Sequence, residues 1–277
     1  MQTRQIDIAA FGPEHLDAAV ALSRQAGWPH RPEDWQMALA LSEGAVAIEG
    51  DRVVGTVLVT RYKEESATIN MVIVDESLRG RGLGRRLMDA ALGLSAGRPL
   101  RLTATEDGLP LYQKLGFRET GRVLQHQGIA DKIATPAITS AATSADLSAI
   151  AEIDRQAFGA DRSDLIAYLA DVGTFAVIRR GNRIVGFSVL RSFGRGEVIG
   201  PVVAGNLEDA KALVAHFIAL RFGRFLRVDI TGVIDLSDWL AVWGLGHVGG
   251  GVAMMKPPIA RADSVPNIFA LASQALG

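Results

Sequence analysis

The sequence predicts a mixed α/β protein, an α+β mixed sheet built from two copies of one unit. Three observations predict it. The chain has 277 residues, enough for two domains at roughly 100–200 residues each. Apolar residues make up 48% of it, ample for two ordinary cores. One order of elements, two helices, three strands, a helix, a strand and a helix, is read twice at a spacing of about 135 residues. The segment TPAITSAATS at 135–144 is small, polar and proline-containing, and reads as a linker. The expected domains are therefore residues 1–135 and 136–277.

In the first half, helices are expected at 14–25 and 32–41. Leu16 and Val20 lie four apart on one side of the first, and Pro32 suits the opening turn of the second. Strands follow at 45–49, 53–62 and 68–74, the first two joined by Gly50-Asp51. A glycine-rich turn leads into a helix at 84–95, with Leu87, Met88, Ala91 and Leu92 as its apolar stripe. Then come a strand at 100–105, a helix at 109–115 stopped by Gly116, and a strand at 117–125. The second half repeats this more loosely: helices at 144–158 and 164–171, and strands at 174–179, 183–191 and 197–203 with Gly181-Asn182 as a hairpin turn. A helix at 207–222, a strand at 225–230 and a helix at 237–243 stopped by Gly244 complete it. The tail at 257–277, with Phe269, Leu271 and Leu276, is expected to form a short helix.

Composition excludes several function classes. Lys plus Arg is 29 and Asp plus Glu is 30, a net charge of −1. That balance exerts no chain-wide pull on nucleic acid or an anionic membrane, and neither partner is expected. The absence of cysteine removes disulfides, Cys-ligated zinc and thiolate nucleophiles. His15, His30, His126, His216 and His247 share no i,i+3 or i,i+4 spacing, so no metal is expected. No signal peptide and no membrane-length apolar run is read, and the expected compartment is the cytoplasm.

The most informative stretch runs from Val72 to Met88. Gly80, Gly82 and Gly84 alternate between a β-branched strand and an amphipathic helix, among Arg79, Arg81, Arg85 and Arg86. Such a turn leaves backbone N–H groups convergent at the positive end of a helix dipole, an anion site suited to a diphosphate. It is not a Walker loop, which needs Gly-Lys-Ser/Thr, and a dinucleotide fingerprint fails at Arg85 or Leu87. The order Arg79, Gly82, Gly84 is Arg-x-x-Gly-x-Gly. A second run, Leu111-Tyr112-Gln113-Lys114-Leu115-Gly116-Phe117, follows one strand later.

With these two motifs in order, the chain resembles the GCN5-related N-acetyltransferases over most of residues 3–127. The resemblance implies tandem GNAT-like acyl-CoA N-acyltransferase domains and acetyl-CoA as acyl donor. Arg79, Gly80, Arg81, Gly82, Leu83, Gly84 and Arg85 would hold its diphosphate. Met71, Val72, Ile73 and Val74 would line its pantetheine arm by strand addition, with an N–H near Val72 polarising the thioester carbonyl. Tyr112 stands at the family position for the acid that protonates the leaving thiolate.

The general base is left open. The family positions for it match Thr68 and Asn70, neither a strong base. Glu106, after the next strand, and His30, in the run Ala26-Gly27-Trp28-Pro29-His30-Arg31-Pro32-Glu33-Asp34-Trp35, are the other candidates. That run is expected to border an acceptor site for a small or amino-acid-like amine. In the second half the matching loop, residues 204–210, has one glycine, no arginine and two acids, and Leu240 aligns with Tyr112. This copy is expected to be degenerate. The leading expectation is an N-acetyltransferase, monomeric or homodimeric; the alternative is a non-catalytic acyl-CoA sensor.

Overall fold

The computed structural model describes residues 5–232, 234–258 and 266–277. The first half contains β1 (Ile6–Ala10), α1 (Leu16–Gln25), α2 (Pro32–Ala40), β2 (Glu43–Glu49), β3 (Arg52–Tyr62), β4 (Ser66–Val74), α3 (Leu83–Leu94), β5 (Leu100–Ala104), α4 (Leu109–Lys114) and β6 (Arg118–Ile129). The second contains β7 (Thr139–Ala141), α5 (Leu147–Phe158), α6 (Ser163–Val172), β8 (Gly173–Arg180), β9 (Arg183–Phe193), β10 (Gly196–Ala204), α7 (Leu207–Leu220), β11 (Phe225–Ile230), α8 (Ile234–Val242), β12 (Gly246–Lys256) and β13 (Asn267–Ala270). The repeated order is present, and four strands were not anticipated: β1, β7, β12 and β13.

Local physics accounts for the elements around the site. α3 buries Leu83, Leu87, Met88 and Ala91 along one side, the 3.6-residue stripe that packs a helix on a sheet. α4 ends at Gly116, whose φ of +88° only glycine adopts cheaply, and α8 ends at Gly244 with φ of +86°. The two stops match bond for bond. Phe117 N–H donates to Tyr112 O at 3.0 Å, and Leu245 N–H to Leu240 O at 3.0 Å. Leu240 is thus the structural counterpart of Tyr112.

The sheet order is β1-β2-β3-β4-β5-β12-β6-β11-β13-β10-β9-β8-β7. β12, from the second half, lies antiparallel between β5 and β6, pairing Val252 with both Ala104 and Arg122. β6, from the first half, pairs with β11 from Leu124↔Ile230 to Ile129↔Phe225. Each half therefore inserts a strand into the sheet of the other. The division at 135/136 describes the order of the chain, and hydrogen bonding crosses it in both directions.

One apolar cluster joins the halves, with Met37, Tyr62 and Val123 packing against Ile150, Phe158 and Leu276. The tail expected to be a helix is instead β13 followed by an irregular segment, and its residues 259–265 lie outside the described residues. Two buried groups hold the segment after β13. Tyr62 Oη donates to Leu276 O at 2.5 Å. Arg162, fully buried in a pair with Asp154, donates to Leu276 O and to Gly277 O at 3.3 and 2.7 Å. This anchoring brings Ser273, Gln274 and Ala275 against the centre of the sheet.

Candidate active site

β4 and β5 run parallel and pair only at Ala67↔Leu100 and Thr68↔Arg101. Beyond Thr68 they diverge and leave a seam in the sheet. The seam wall is shaped by a bulge. Across β3, Thr56 pairs with Ile73 and Leu58 with Asn70, so Met71 and Val72 together oppose one residue. Met71 sits at φ +51°, a strained angle for a residue with a side chain. The Thr56 hydroxyl helps to hold it, donating to Met71 O at 2.7 Å.

At the open end of β4 lies the glycine turn. Gly80 and Gly82 adopt φ +75° and +79°, and open space surrounds both. Gly82 caps α3 without any side-chain hydrogen bond, so the first N–H groups of that helix are offered outward. Gly84 packs closely, and a Cβ there would come within 3.3 Å of Leu111 Cδ2. Of the arginines, Arg79 approaches Asp107 at 3.8 Å, and Arg85 donates to Asp89 at 2.9 Å. Arg86 donates to Ile6 O at 2.7 Å, which ties α3 to β1.

Beyond the bulge the seam opens into a cavity of about 260 Å³. Tyr112 lines it from α4, only 7% exposed. Its ring lies where a Cβ on Gly108 would reach 2.8 Å from Cε2, so the glycine makes room for it. Burial pushes the phenol up to about 12, which keeps it protonated at neutral pH and able to donate. Trp28 and His30 come from the α1–α2 connection, and Asn70, Met71 and Val72 from β4. Ile73 is buried in the core behind, and Val74 packs toward α3.

The far wall comes from the other half. Phe193 and Arg195 arrive from the β9–β10 hairpin, Arg227 from β11, and Ser273, Gln274 and Ala275 from the anchored tail. Gln125 and Gln127 project from β6. Asp34, at the start of α2, fastens the halves: it accepts three bonds from Arg31, one from the backbone N–H and two from the guanidinium, and one from the Gly194 N–H at 2.9 Å. Burial alone would raise the Asp34 carboxyl. The bonds from Arg31 and Gly194 outweigh it and hold the group below the usual carboxylate range.

His30 and Glu106 part company here. Glu106 sits exposed in the turn after β5 and does not line the cavity, so the structure does not bring that expected base to the site. His30 does line it, but as a neutral ring. Burial, opposed by Asp34 and aided by Arg227 and Arg191, lowers it to about 4. Its Nδ1 lies 3.3 Å from the Ser23 hydroxyl, which already accepts from Trp35 Nε1 at 2.9 Å. His30 thus reaches the cavity as a neutral imidazole, a weak base.

Sequence reasoning, which gave the second copy a place at the acceptor pocket, named none of the far-wall residues. None of them stands in a motif. A strand exchange places them, and residue spacing carries no signal of that.

The second half has the same seam, changed at each point. β10 and β11 pair only at Glu197↔Leu226 and Val198↔Arg227. A bulge at Gly200-Pro201, opposite one residue of β9, matches Met71-Val72. Pro201, the counterpart of Val72, has no N–H. The seam itself is filled by β13, which pairs with β10 at Val202↔Ala270 and with β11 at Ile230↔Ala270. Asn206 caps α7 by accepting from the Asp209 N–H at 2.9 Å, so that helix start is satisfied from within.

Among the described residues no group of His, Cys, Asp or Glu could hold a metal ion, and no helix is long and apolar enough to cross a membrane. Comparison with known proteins agrees with the geometry. Two models of acetyltransferase (GNAT) domains match, one over residues 41–119 and one over 150–269. The uncharacterized N-acetyltransferase YitH of Bacillus subtilis strain 168 is 29% identical across 95% of this chain and 96% of its own. A Pyrococcus horikoshii protein assigned as an acetyltransferase superposes with a TM-score of 0.83 at 19% identity, over 100% of this chain and 98% of that one. A tandem GNAT protein from the clavulanic acid biosynthesis pathway superposes with a TM-score of 0.62 at 15% identity, over 92% and 100%. The chain belongs to the GCN5-related N-acetyltransferases, as a tandem protein whose two GNAT domains share one sheet.

Proposed function

We propose that this protein is an acetyl-CoA-dependent N-acetyltransferase with one working site, the β4–β5 seam, acting on a small amine held in the cavity between the halves. The observation that carries the proposal is the continuity of that seam with a cavity that Tyr112 lines. The chain's own groups fit acetyl-CoA. The open glycine turn and the bare start of α3 suit the diphosphate, with Arg79, Arg81 and Arg85 around it, and the unpaired edge of β4 suits the pantetheine arm. When bound, acetyl-CoA supplies an acyl group activated as a thioester.

The remaining chemistry belongs to the protein. The Val72 N–H, freed from the ladder by the bulge, donates to the oxygen on which charge develops. The cavity holds the amine in line with the carbonyl carbon and so converts a bimolecular attack into a local one. As the carbon–sulfur bond breaks, Tyr112 gives its proton to the departing sulfur. The amine proton leaves to water, which restores the phenol. His30, a neutral ring on the cavity wall, borders the acceptor.

A non-catalytic acyl-CoA sensor would have no use for a second chamber beyond the thioester end, and the cavity weighs against that reading. The test is thiol release from acetyl-CoA across a panel of amines, with the acetylated product identified by mass. Tight acetyl-CoA binding with no acceptor-dependent thiol release from any amine would overturn the proposal.

A further inference from the structure

The far wall of the cavity has a charge pattern that the acetyl-transfer chemistry does not use. Its charged lining residues are Arg195 and Arg227. Directly behind Phe193 lie Arg191 and, across the interface, Arg31 with Asp34. The Arg191 guanidinium is 4.9 Å from the centre of the Phe193 ring, and that of Arg227 is 5.1 Å from it. Burial lowers Arg191 only to about 10, so it is cationic at neutral pH.

Both carboxylates of this group are already engaged. Asp34 accepts from Arg31 and the Gly194 N–H. Asp229 accepts from Arg227 Nε and Nη2 and from Gln274 Nε2, all between 3.0 and 3.1 Å. Among the described residues, Arg227 Nη1 takes part in no hydrogen bond and Arg195 in no ion pair. Four guanidinium groups thus face two carboxylates, a surplus of two positive charges beside a neutral His30.

At the opposite end of the cavity, near the bulge, Asn70 is 5% exposed. Its Nδ2 donates to Thr60 Oγ1 at 2.9 Å, while its Oδ1 has no partner. A buried carbonyl oxygen without a donor is costly, and Asn70 lines the cavity, where an N–H of a bound amine would satisfy it.

We infer that the acceptor is a small amine carrying a carboxylate or phosphate, its amine beside Asn70 and Val72 and its anion on Arg195 and the free edge of Arg227. This inference rests on the acetyltransferase reading above and names its substrate class. An amine without an anion would bring a further positive charge into a wall that already has two in excess. A zwitterionic or phosphorylated amine neutralises that wall. A cavity of about 260 Å³ lies below the ~300–1,000 Å³ typical of drug-sized sites, which limits the acceptor to metabolite size.

The experiment compares matched probes that differ only in the anion: glucosamine 6-phosphate against glucosamine, and threonine against threoninamide. Binding to the full chain saturated with coenzyme A is measured by calorimetry, and acetyl transfer by thiol release. The anionic member of at least one pair is expected to bind more than tenfold tighter. Arg195→Glu should erase that preference while acetyl-CoA affinity stays unchanged, which controls for folding. Arg227→Lys, which retains a partner for Asp229, should weaken it in the same direction. Equal binding within both pairs, failure of every anionic probe to bind, or a preference that survives Arg195→Glu would overturn the inference. Anion-selective binding with no thiol release from any amine would leave the anion site on Arg195 and Arg227 standing and overturn the acetyltransferase reading instead.

Discussion

Two seams cross this sheet, and each is held shut by two register pairs before it opens: Ala67↔Leu100 and Thr68↔Arg101 in the first half, Glu197↔Leu226 and Val198↔Arg227 in the second. In the first, the strand edge past the bulge faces a cavity. In the second, β13 enters and takes up the edges of β10 and β11. The bulges correspond residue for residue, yet Val72 has an N–H and Pro201 has none. The helix starts correspond too, but Gly82 leaves α3 bare where Asn206 caps α7. Where two copies of a ligand-binding unit lie in one chain, a copy relieved of its ligand still has an open sheet to satisfy, because unpaired buried backbone groups are costly. Here the chain's own strand β13 supplies that pairing.

The largest effect that tests this contrast is on acetyl-CoA binding. Calorimetry should find one site per chain. Gly82→Glu with Gly84→Glu should abolish it, because side chains there place strain at φ +79°, press on Leu111 and add negative charge where the diphosphate would lie. Two equivalent sites would break the comparison.

Next is the stability of the filled seam. Phe269, buried in the second core, should cost about 3–5 kcal/mol when changed to alanine, read as a lower urea midpoint. Acetyl-CoA affinity of the folded fraction should not change, since β13 belongs to the other seam.

Third comes Tyr112, which has only Leu240 as its counterpart. Tyr112→Phe should lower kcat on the order of 10²-fold, the low end for general acid catalysis, with acetyl-CoA affinity nearly constant. Unchanged kcat, with chemistry rate-limiting, would remove the acid role.

The smallest effect concerns His30. Unfolded, it takes up a proton near 6.5; folded, only at about 4. Between those values the unfolded chain binds the additional proton. Stability should therefore be full above about pH 6.5, decline as the pH falls toward about 4, and level off below. His30→Gln should flatten that decline in pH-dependent denaturation. With His30 neutral throughout, the rate profile should lack an inflection near 6.5 from this residue.

Much of the site's first half was legible because its signals are local. Alternating glycines before an amphipathic helix specify a turn with exposed N–H groups wherever they occur. Gly116 must stop α4, and so it sets Tyr112 one turn back. Other local signals went unread. Ile6 and Ile8 alternate around Asp7 as an edge strand should, and Pro201 already announced the missing donor. The tail was mistaken for a helix because a short apolar run such as Ile268–Ala270 has no period of its own.

By itself, then, the sequence determined the two repeated units, the glycine turn and the tyrosine behind it, since each depends on residues within one or two helical turns of one another. Only the tertiary structure decided where β12 and β6 pair, which seam β13 fills, and which side chains face Tyr112 across the cavity. Backbone hydrogen bonds look alike along every strand, so the chain can exchange strands between halves with no mark at any single position. Gly194 meets Asp34 across 160 residues of chain, and the Arg195–Arg227 wall takes its place by that same long-range closure.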